Sequence, residues 1–213
     1  MTNNYNRVAG IYDVSSRMVF GKAQEKSQTE FLKWIPPQSR ILIAGGGTGW
    51  ILESITAIHP GGLDILYVEA SVKMMELSKE RNFGDNKVSF VCSPIESCNF
   101  DGLFDVVITA YLFDNFLRAE AEVIFQLLHQ KLRPGGRWLF ADFYIDAVHP
   151  PLWQNLLWYT MFTFFLITCG VKAKKLVDMS PYFKKAAYKL LQEKEYYSGF
   201  IKGYAFEKNK LSL

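Results

Sequence analysis

Three glycines at alternate positions, directly after a short apolar run, constrain this chain more than any other feature. Arg40-Ile41-Leu42-Ile43-Ala44 is too short for a helix and rich in branched side chains, which predicts a buried strand. It runs into Gly45-Gly46-Gly47-Thr48-Gly49, and an amphipathic run from Trp50 to Ile58 predicts a helix. Strand, glycine turn and helix together bring backbone N–H groups and a helix N-terminus up to a nucleotide-like ligand. Glycine is needed because a Cβ would block either a positive-φ turn or the ligand's approach to the backbone. The dinucleotide spacing G-x-G-x-x-G would end at position 50, which is Trp50, so that pattern fails. What stands is Gly45-x-Gly47-x-Gly49.

The remainder of the chain predicts one α/β domain over residues 1–213, too short for two full ones. A net charge of +3 is too small to argue for nucleic acid, and the start, Met1 to Asn6, has no apolar secretory segment. Cys92, Cys98 and Cys169 have neither paired spacing nor nearby histidines. They read as reduced thiols of a cytoplasmic protein without a metal site.

Lys22 to Trp34 predicts a helix stopped by Pro36-Pro37, so residues 1–35 form an N-terminal arm and helix. After the turn His59-Pro60-Gly61-Gly62, Leu63 to Val68 predicts a second buried strand ending at Glu69. A carboxylate there is acceptor-only and can take hydrogen bonds from both ribose hydroxyls, a device that nicotinamide enzymes share. Ser71 is placed to cap the next helix. Lys87 to Cys92 and Phe104 to Ala110 predict strands three and four, and Arg118 to Leu132 a helix with Val123, Ile124, Leu127 and Leu128 toward the sheet. The turn Leu132-Arg133-Pro134-Gly135-Gly136 leads to a fifth strand, Arg137 to Phe143. Pro181 to Leu191 predicts a helix, and Glu193 to Tyr197 and Ile201 to Phe206 two closing strands.

These residues resemble the class I S-adenosylmethionine (SAM) dependent methyltransferases, over nearly the whole chain and best from Arg40 to Phe143. Gly45-x-Gly47-x-Gly49 is similar to their motif I, Glu69-Ala70-Ser71-x-x-Met74 to their acid-x-Ser-x-x-Met signature, and Leu132-x-Pro134-Gly135-Gly136 to their turn before strand five. Tyr5-Asn6…Ala9…Tyr12-Asp13 resembles the opening of the ubiquinone/menaquinone-type members, where such an arm folds over the cofactor. The resemblance implies a Rossmann-like seven-stranded sheet with its last strand antiparallel and a helical cap, residues 147–191, between strands five and six. It implies SAM as cofactor, held by Gly45, Gly46, Gly47, Thr48, Gly49, Glu69 and Ala70. Met74 would lie against the adenine, Ala110 and Tyr111 near the methionine half, and Tyr12 and Arg17 near the cofactor. Two departures stand out: Ile43 replaces an acid before motif I, and Pro94 replaces the Asp that accepts from the adenine amino group, leaving that contact to the backbone around Ile95 or to Glu96.

SAM carries its own reactivity, so the protein must mainly align the acceptor and exclude water. Asp114 and His149 are the candidates should the acceptor have to lose a proton, although the favoured reading of Asp114 is a loop acid that caps the next helix. From Ala147 to Val171 the chain holds no Asp, Glu, Lys or Arg and six bulky aromatics between Trp153 and Phe165. The segment is long enough to span a bilayer, but one crossing would separate the last strands from their sheet. It reads instead as a cap over the site, facing a small hydrophobic or aromatic acceptor, with an outer face toward lipid or a second copy. Lys172, Lys174 and Lys175 follow it, as a solvated run or a contact for an anionic surface. The competing readings are a nicotinamide-dependent oxidoreductase and a SAM-binding protein without turnover.

Overall fold

The computed structural model describes residue 6 and residues 9–146, 148–170 and 175–210; of Ile11 and Tyr12 it describes the backbone alone. The candidate Tyr12 side chain, the arm residue Tyr5, and Lys172 and Lys174 therefore lie outside the described residues. In chain order the elements are α1 (Ala9–Phe20), α2 (Ala23–Thr29), β1 (Arg40–Ala44), α3 (Trp50–Ile58), β2 (Gly61–Glu69), α4 (Val72–Lys79), β3 (Asp85–Cys92) and β4 (Phe104–Ala110). Then follow α5 (Arg118–Lys131), β5 (Leu132–Phe143), α6 (Leu152–Cys169), α7 (Ser180–Lys185), β6 (Lys189–Tyr196) and β7 (Ile201–Glu207).

Side chains alternate across a strand, and here both faces are apolar, so the sheet is covered on both sides. Ile41 and Ile43 of β1 face one layer with Val106, Ile108, Leu139 and Ala205; Leu42 and Ala44 face the other with Val107, Trp138, Phe140 and Phe206. The first layer is closed by Phe31, Leu32, α3 and Met75 of α4, the second by Ile124, Phe125 and Leu128 of α5 and Phe183 of α7. The strand order is β3-β2-β1-β4-β5-β7-β6. The first five strands pair in parallel, β7 runs antiparallel to β5, and β6 antiparallel to β7. The order reverses between β1 and β4, where an open α/β sheet splays its loops into a crevice. A third cluster of Phe20, Phe143, Trp158, Phe162, Phe200 and Ile201 ties α6 to the ends of α1 and β5 and the start of β7.

The seven strands and the antiparallel closure agree with the sequence reading, while several local expectations do not hold. The N-terminal arm is a helix, α1, and the expected helix from Lys22 to Trp34 is the shorter α2 followed by a single tight turn at Leu32–Trp34. Gly61 and Gly62 belong to β2 rather than to a turn. Pro134-Gly135-Gly136 forms a bulge inside β5, because the register jumps from Phe104 opposite Leu132 to Val106 opposite Arg137. On α5, Val123 is exposed; Ala121, Ile124, Phe125 and Leu128 face the core, following the i, i+3, i+4, i+7 phase. The expected helix Pro181 to Leu191 stops at Lys185, and the chain enters β6 at Lys189, since pairing with β7 outweighs local helix preference. The segment 147–191 is thus not all cap: α7 packs into the core through Phe183, and among its described residues those of α6 stand over the site. Among the described residues no helix is long and apolar enough to cross a membrane.

Trp138 is fully buried and its indole N–H donates to the Thr109 hydroxyl at 2.9 Å, across β5 and β4. Trp138→Ala should cost about 3–5 kcal/mol in urea unfolding, from the cavity it leaves and the orphaned hydroxyl.

Candidate active site

The loop after β1 is shaped by two separate demands on glycine. Gly45, Gly47 and Gly49 take φ of 69°, 65° and 82°, so the alternate spacing in sequence is three left-handed residues in the backbone. Gly46 has an ordinary φ, but a Cβ there would fall on the Tyr67 ring. Tyr67, fully buried in β2, also donates its hydroxyl hydrogen to the Gly47 carbonyl at 2.9 Å. The N–H groups of Gly45 and Gly46 both donate to the Val68 carbonyl, at 2.9 and 3.1 Å.

Glu69 closes this corner. Its Oε2 accepts from the Gly47 N–H at 2.9 Å and its Oε1 from the Ser71 N–H at 2.8 Å. Burial pushes its carboxyl above the ordinary range, and the Ser71 and Gly47 N–H groups pull in the opposite direction. Each oxygen keeps a further lone pair for a ligand hydroxyl. The Ser71 hydroxyl accepts from the Met74 N–H at 3.3 Å, the cap that the sequence predicts for α4.

The N-terminal helix is fastened over the loop. The Thr48 hydroxyl donates to the Asp13 carboxylate at 2.9 Å. Arg81 donates through Nε to the Thr48 carbonyl at 3.0 Å, and its other nitrogens lie 3.2 Å from Asp13 and 3.7 Å from Glu53. Asn6 accepts from the Ser71 hydroxyl at 2.8 Å and from the Lys73 N–H at 3.1 Å. Asn6 and Asp13 are the polar halves of the Tyr5-Asn6 and Tyr12-Asp13 doublets, so that signal was present, attributed to the aromatic partner. Arg81 and Tyr67 carry no signal in the sequence.

The carboxyl ends of β1, β2 and β4 open into a cavity of about 800 Å³. Gly45, Gly46, Gly47, Thr48, Glu69, Ala70, Met74, Pro94, Ile95, Ala110, Tyr111 and Asp114 all line it. Gly49 does not; it begins α3 one step behind. Ile43 lines it as an apolar side chain, and Glu96 borders it from an exposed position. His149 is exposed in the loop before α6, and Arg17 is exposed and borders a smaller pocket beside Asp13 and Tyr111; neither lines the cavity. Among the described residues no cluster of side chains suits a metal ion.

On the far side, Tyr111 adopts φ of 52°, rare for a residue with a side chain. Its hydroxyl is 2.7 Å from that of Ser27, and its ring centroid 4.8 Å from that of Phe143. Asp114 does not cap α5: it sits in the tight turn Phe113–Asn115, and α5 is capped by Glu120, whose Oε2 accepts from the Leu117 N–H at 2.9 Å. Behind Asp114 lies Asp142, buried at the end of β5, which accepts from the Phe113 N–H at 3.2 Å and the Phe143 N–H at 2.8 Å. Burial and the Asp142 charge hold the Asp114 carboxyl well above the ordinary range, and burial raises Asp142 too. Asp142 has the backbone donors, so Asp114 is the partner that keeps a proton.

A carboxyl raised by folding stabilises the protein below the ordinary carboxylate range and loses that contribution as pH rises through the raised folded-state value. Thermal stability should therefore fall from mildly acidic toward neutral pH, and Asp114→Asn should flatten the decline in melts run across that range. Tyr67→Phe should cost about 1 kcal/mol by removing the bond to Gly47, readable in urea unfolding.

Residues 42–140 match the family described as a methyltransferase domain. A malonyl-acyl-carrier-protein O-methyltransferase of Priestia megaterium is 24% identical over 143 residues, 67% of this chain and 51% of that one. A ubiquinone/menaquinone biosynthesis C-methyltransferase of Geotalea uraniireducens is 30% identical over 146 residues, 65% of this chain and 61% of that one. The chain spans about half the length of the malonyl-directed relatives it matches. Among solved structures, a chain from the complex of the Haloferax volcanii Trm112 methyltransferase activator with a methyltransferase superposes with a TM-score of 0.70 at 12% identity, covering 98% of this chain and 99% of that one. The Burkholderia thailandensis 1,6-didemethyltoxoflavin-N1-methyltransferase, solved with S-adenosylhomocysteine, gives 0.66 at 14% identity over 95% and 85%. Residues 42–140 thus match the methyltransferase-domain family, and the chain as a whole shares the fold of these methyltransferase structures.

Proposed function

We propose that this protein is a methyltransferase that uses SAM to methylate a small, hydrophobic or aromatic acceptor. The observation that carries this reading is the cavity's two-sided lining. One end is the glycine loop with Glu69, and the other is an apolar wall in which Leu157, Met161, Phe164 and Phe165 of α6 face Tyr111 and Phe143. SAM fits the first end: the Glu69 carboxylate has acceptor capacity for ribose hydroxyls, and a Cβ built on Gly47 meets nothing within 4 Å, so the loop backbone is open to a ligand. When bound, SAM would supply an activated methyl group on a sulfonium.

The chain's own residues would then position and shield. Gly45, Gly46, Gly47 and Thr48 would present loop backbone to the cofactor, with Gly49 shaping the turn. Met74, Pro94 and Ile95 would enclose the adenine, and Ala110 and Tyr111 the methionine half. Ile43 leaves the methionine ammonium without the family's acid at that place, and the backbone takes over the contact. The α6 wall would keep water from the methyl group and align the acceptor, which is where most of the rate of such a displacement arises. The relatives named for ubiquinone/menaquinone biosynthesis support a hydrophobic acceptor, and the family match leaves the nicotinamide reading without support. We take the enzyme to work in the reducing cytoplasm, which the free thiols of Cys92, Cys98 and Cys169 support.

The outer stripe of α6 suits a peripheral membrane contact or a second copy. Leu152, Leu156 and Ile167 are 87%, 71% and 72% exposed along one face of a helix without a charged residue. Flotation with anionic vesicles, set against sedimentation velocity, separates the two; a monomer that does not float would remove both.

Calorimetric titration should show micromolar binding of S-adenosylhomocysteine and none of NAD(H) or NADP(H). Glu69→Ala should weaken it about tenfold or more, a loss of at least about 1.4 kcal/mol. Binding without methyl transfer to any hydrophobic acceptor would favour the SAM-binding protein without turnover.

A further inference from the structure

Among the described residues five charged side chains line the cavity, all of them acids: Asp13, Glu69, Glu96, Asp114 and Glu120, with no lysine, arginine or histidine in the lining. Four have evident roles or surroundings. Asp13 is bound by Thr48 and Arg81, Glu69 by the Gly47 and Ser71 N–H groups, Glu120 caps α5, and Glu96 is exposed to solvent. Asp114 differs. Its hydrogen-bond partners are neutral, the Asn115 carboxamide at 2.7 Å and its own backbone N–H, and the charged group acting on it is the like charge of Asp142. It looks into the same space as Tyr111, Phe116, Phe143, Phe164 and Phe165. Two carboxylates beside an apolar, aromatic wall are stable only if one holds a proton or a cation arrives.

We infer that the acceptor is a lipophilic amine, whose nitrogen is received by Asp114 while its hydrocarbon lies along α6; this rests on the methyltransferase reading. An anionic acceptor would add a further negative charge to a cavity whose described lining has no cationic side chain. An ammonium supplies the missing charge, and aromatic faces stabilise it further. Asp114 also solves the chemical problem an ammonium poses, since a protonated nitrogen has no lone pair. The arriving ammonium displaces the Asp114 proton to solvent; one ammonium proton then passes to the Asp114 carboxylate, and the freed lone pair forms the N–CH3 bond. The carbon–sulfur bond of the donor breaks as that bond forms, both electrons staying with sulfur. The positive charge leaves sulfur and ends on the methylated nitrogen.

The test uses the full chain saturated with S-adenosylhomocysteine and three matched probes: phenethylamine, phenethyl alcohol and hydrocinnamate. Titrations run in two buffers of different ionisation enthalpy report protons released on binding. The amine should bind about tenfold or more tightly than the alcohol and release a proton, and hydrocinnamate should not bind. Asp114→Asn, checked for retained S-adenosylhomocysteine binding, should lose both the amine's margin and the proton. The inference is overturned if the alcohol or the carboxylate binds as well as the amine, or if proton release survives in Asp114→Asn. Those outcomes leave the methyltransferase reading standing; failure of the wild type to bind S-adenosylhomocysteine overturns that reading and the amine acceptor with it.

Discussion

Glu69 holds the Gly47 N–H with one oxygen and the Ser71 N–H with the other, so a single buried carboxylate joins the end of β2 to the glycine loop and to the first turn of α4. Without that bridge the loop would be left with the Tyr67 hydroxyl and the Val68 carbonyl as its ties to the sheet. All of these anchors come from three consecutive residues of β2, whose own position follows from parallel pairing with β1, where Ile43 lies opposite Tyr67 and Ala44 opposite Val68. The glycine-loop end of the cavity is thus anchored directly to the centre of the sheet. It is also preorganised, because the left-handed turns are satisfied by backbone bonds before any ligand is present.

The centre of the sheet was legible in the sequence because β1, β2 and β4 are short apolar runs rich in branched side chains and bounded by glycine, proline or polar residues, whereas the edge strand β6 has no such run. Glu69 and the glycines were legible for the same reason: their role follows from where a strand ends. What escaped notice depends on contacts distant in sequence. Asp13, Arg81 and Thr48 meet across three elements, and nothing local marks the arginine. Asp142 reads as one more polar residue near the end of a strand; its importance arises only because Asp114 folds back in front of it. The bulge at Pro134-Gly135-Gly136 and the early end of α7 likewise follow from register and pairing, which local propensity does not encode.

The α6 helix shows a different limit. It is apolar all round, so its sequence has no phase from which to read an inside and an outside. In the fold it has three faces. Gln154, Trp158 and Phe162 are buried against the domain, Leu157, Met161, Phe164 and Phe165 look into the cavity, and Leu152, Leu156 and Ile167 look outward. The absence of charge that suggested a membrane segment is explained for two of those faces by packing and by the cavity.

The two ends of the cavity are joined through the N-terminal helices. Asp13 of α1 is bound to the glycine loop through Thr48, while Ser27 of α2 holds the Tyr111 hydroxyl at the aromatic end. Tyr111 needs that hold, because its left-handed backbone is unfavourable and must be stabilised by its surroundings. Phe20, at the end of α1, packs at 5.3 Å on Phe143, the residue whose N–H donates to Asp142. A displacement of α1 would therefore reach the glycine loop through Asp13 and the carboxylate pair through Phe20 and Phe143. The two ends of the cavity share one mechanical support, a reason to keep a helix outside the sheet fastened by polar contacts.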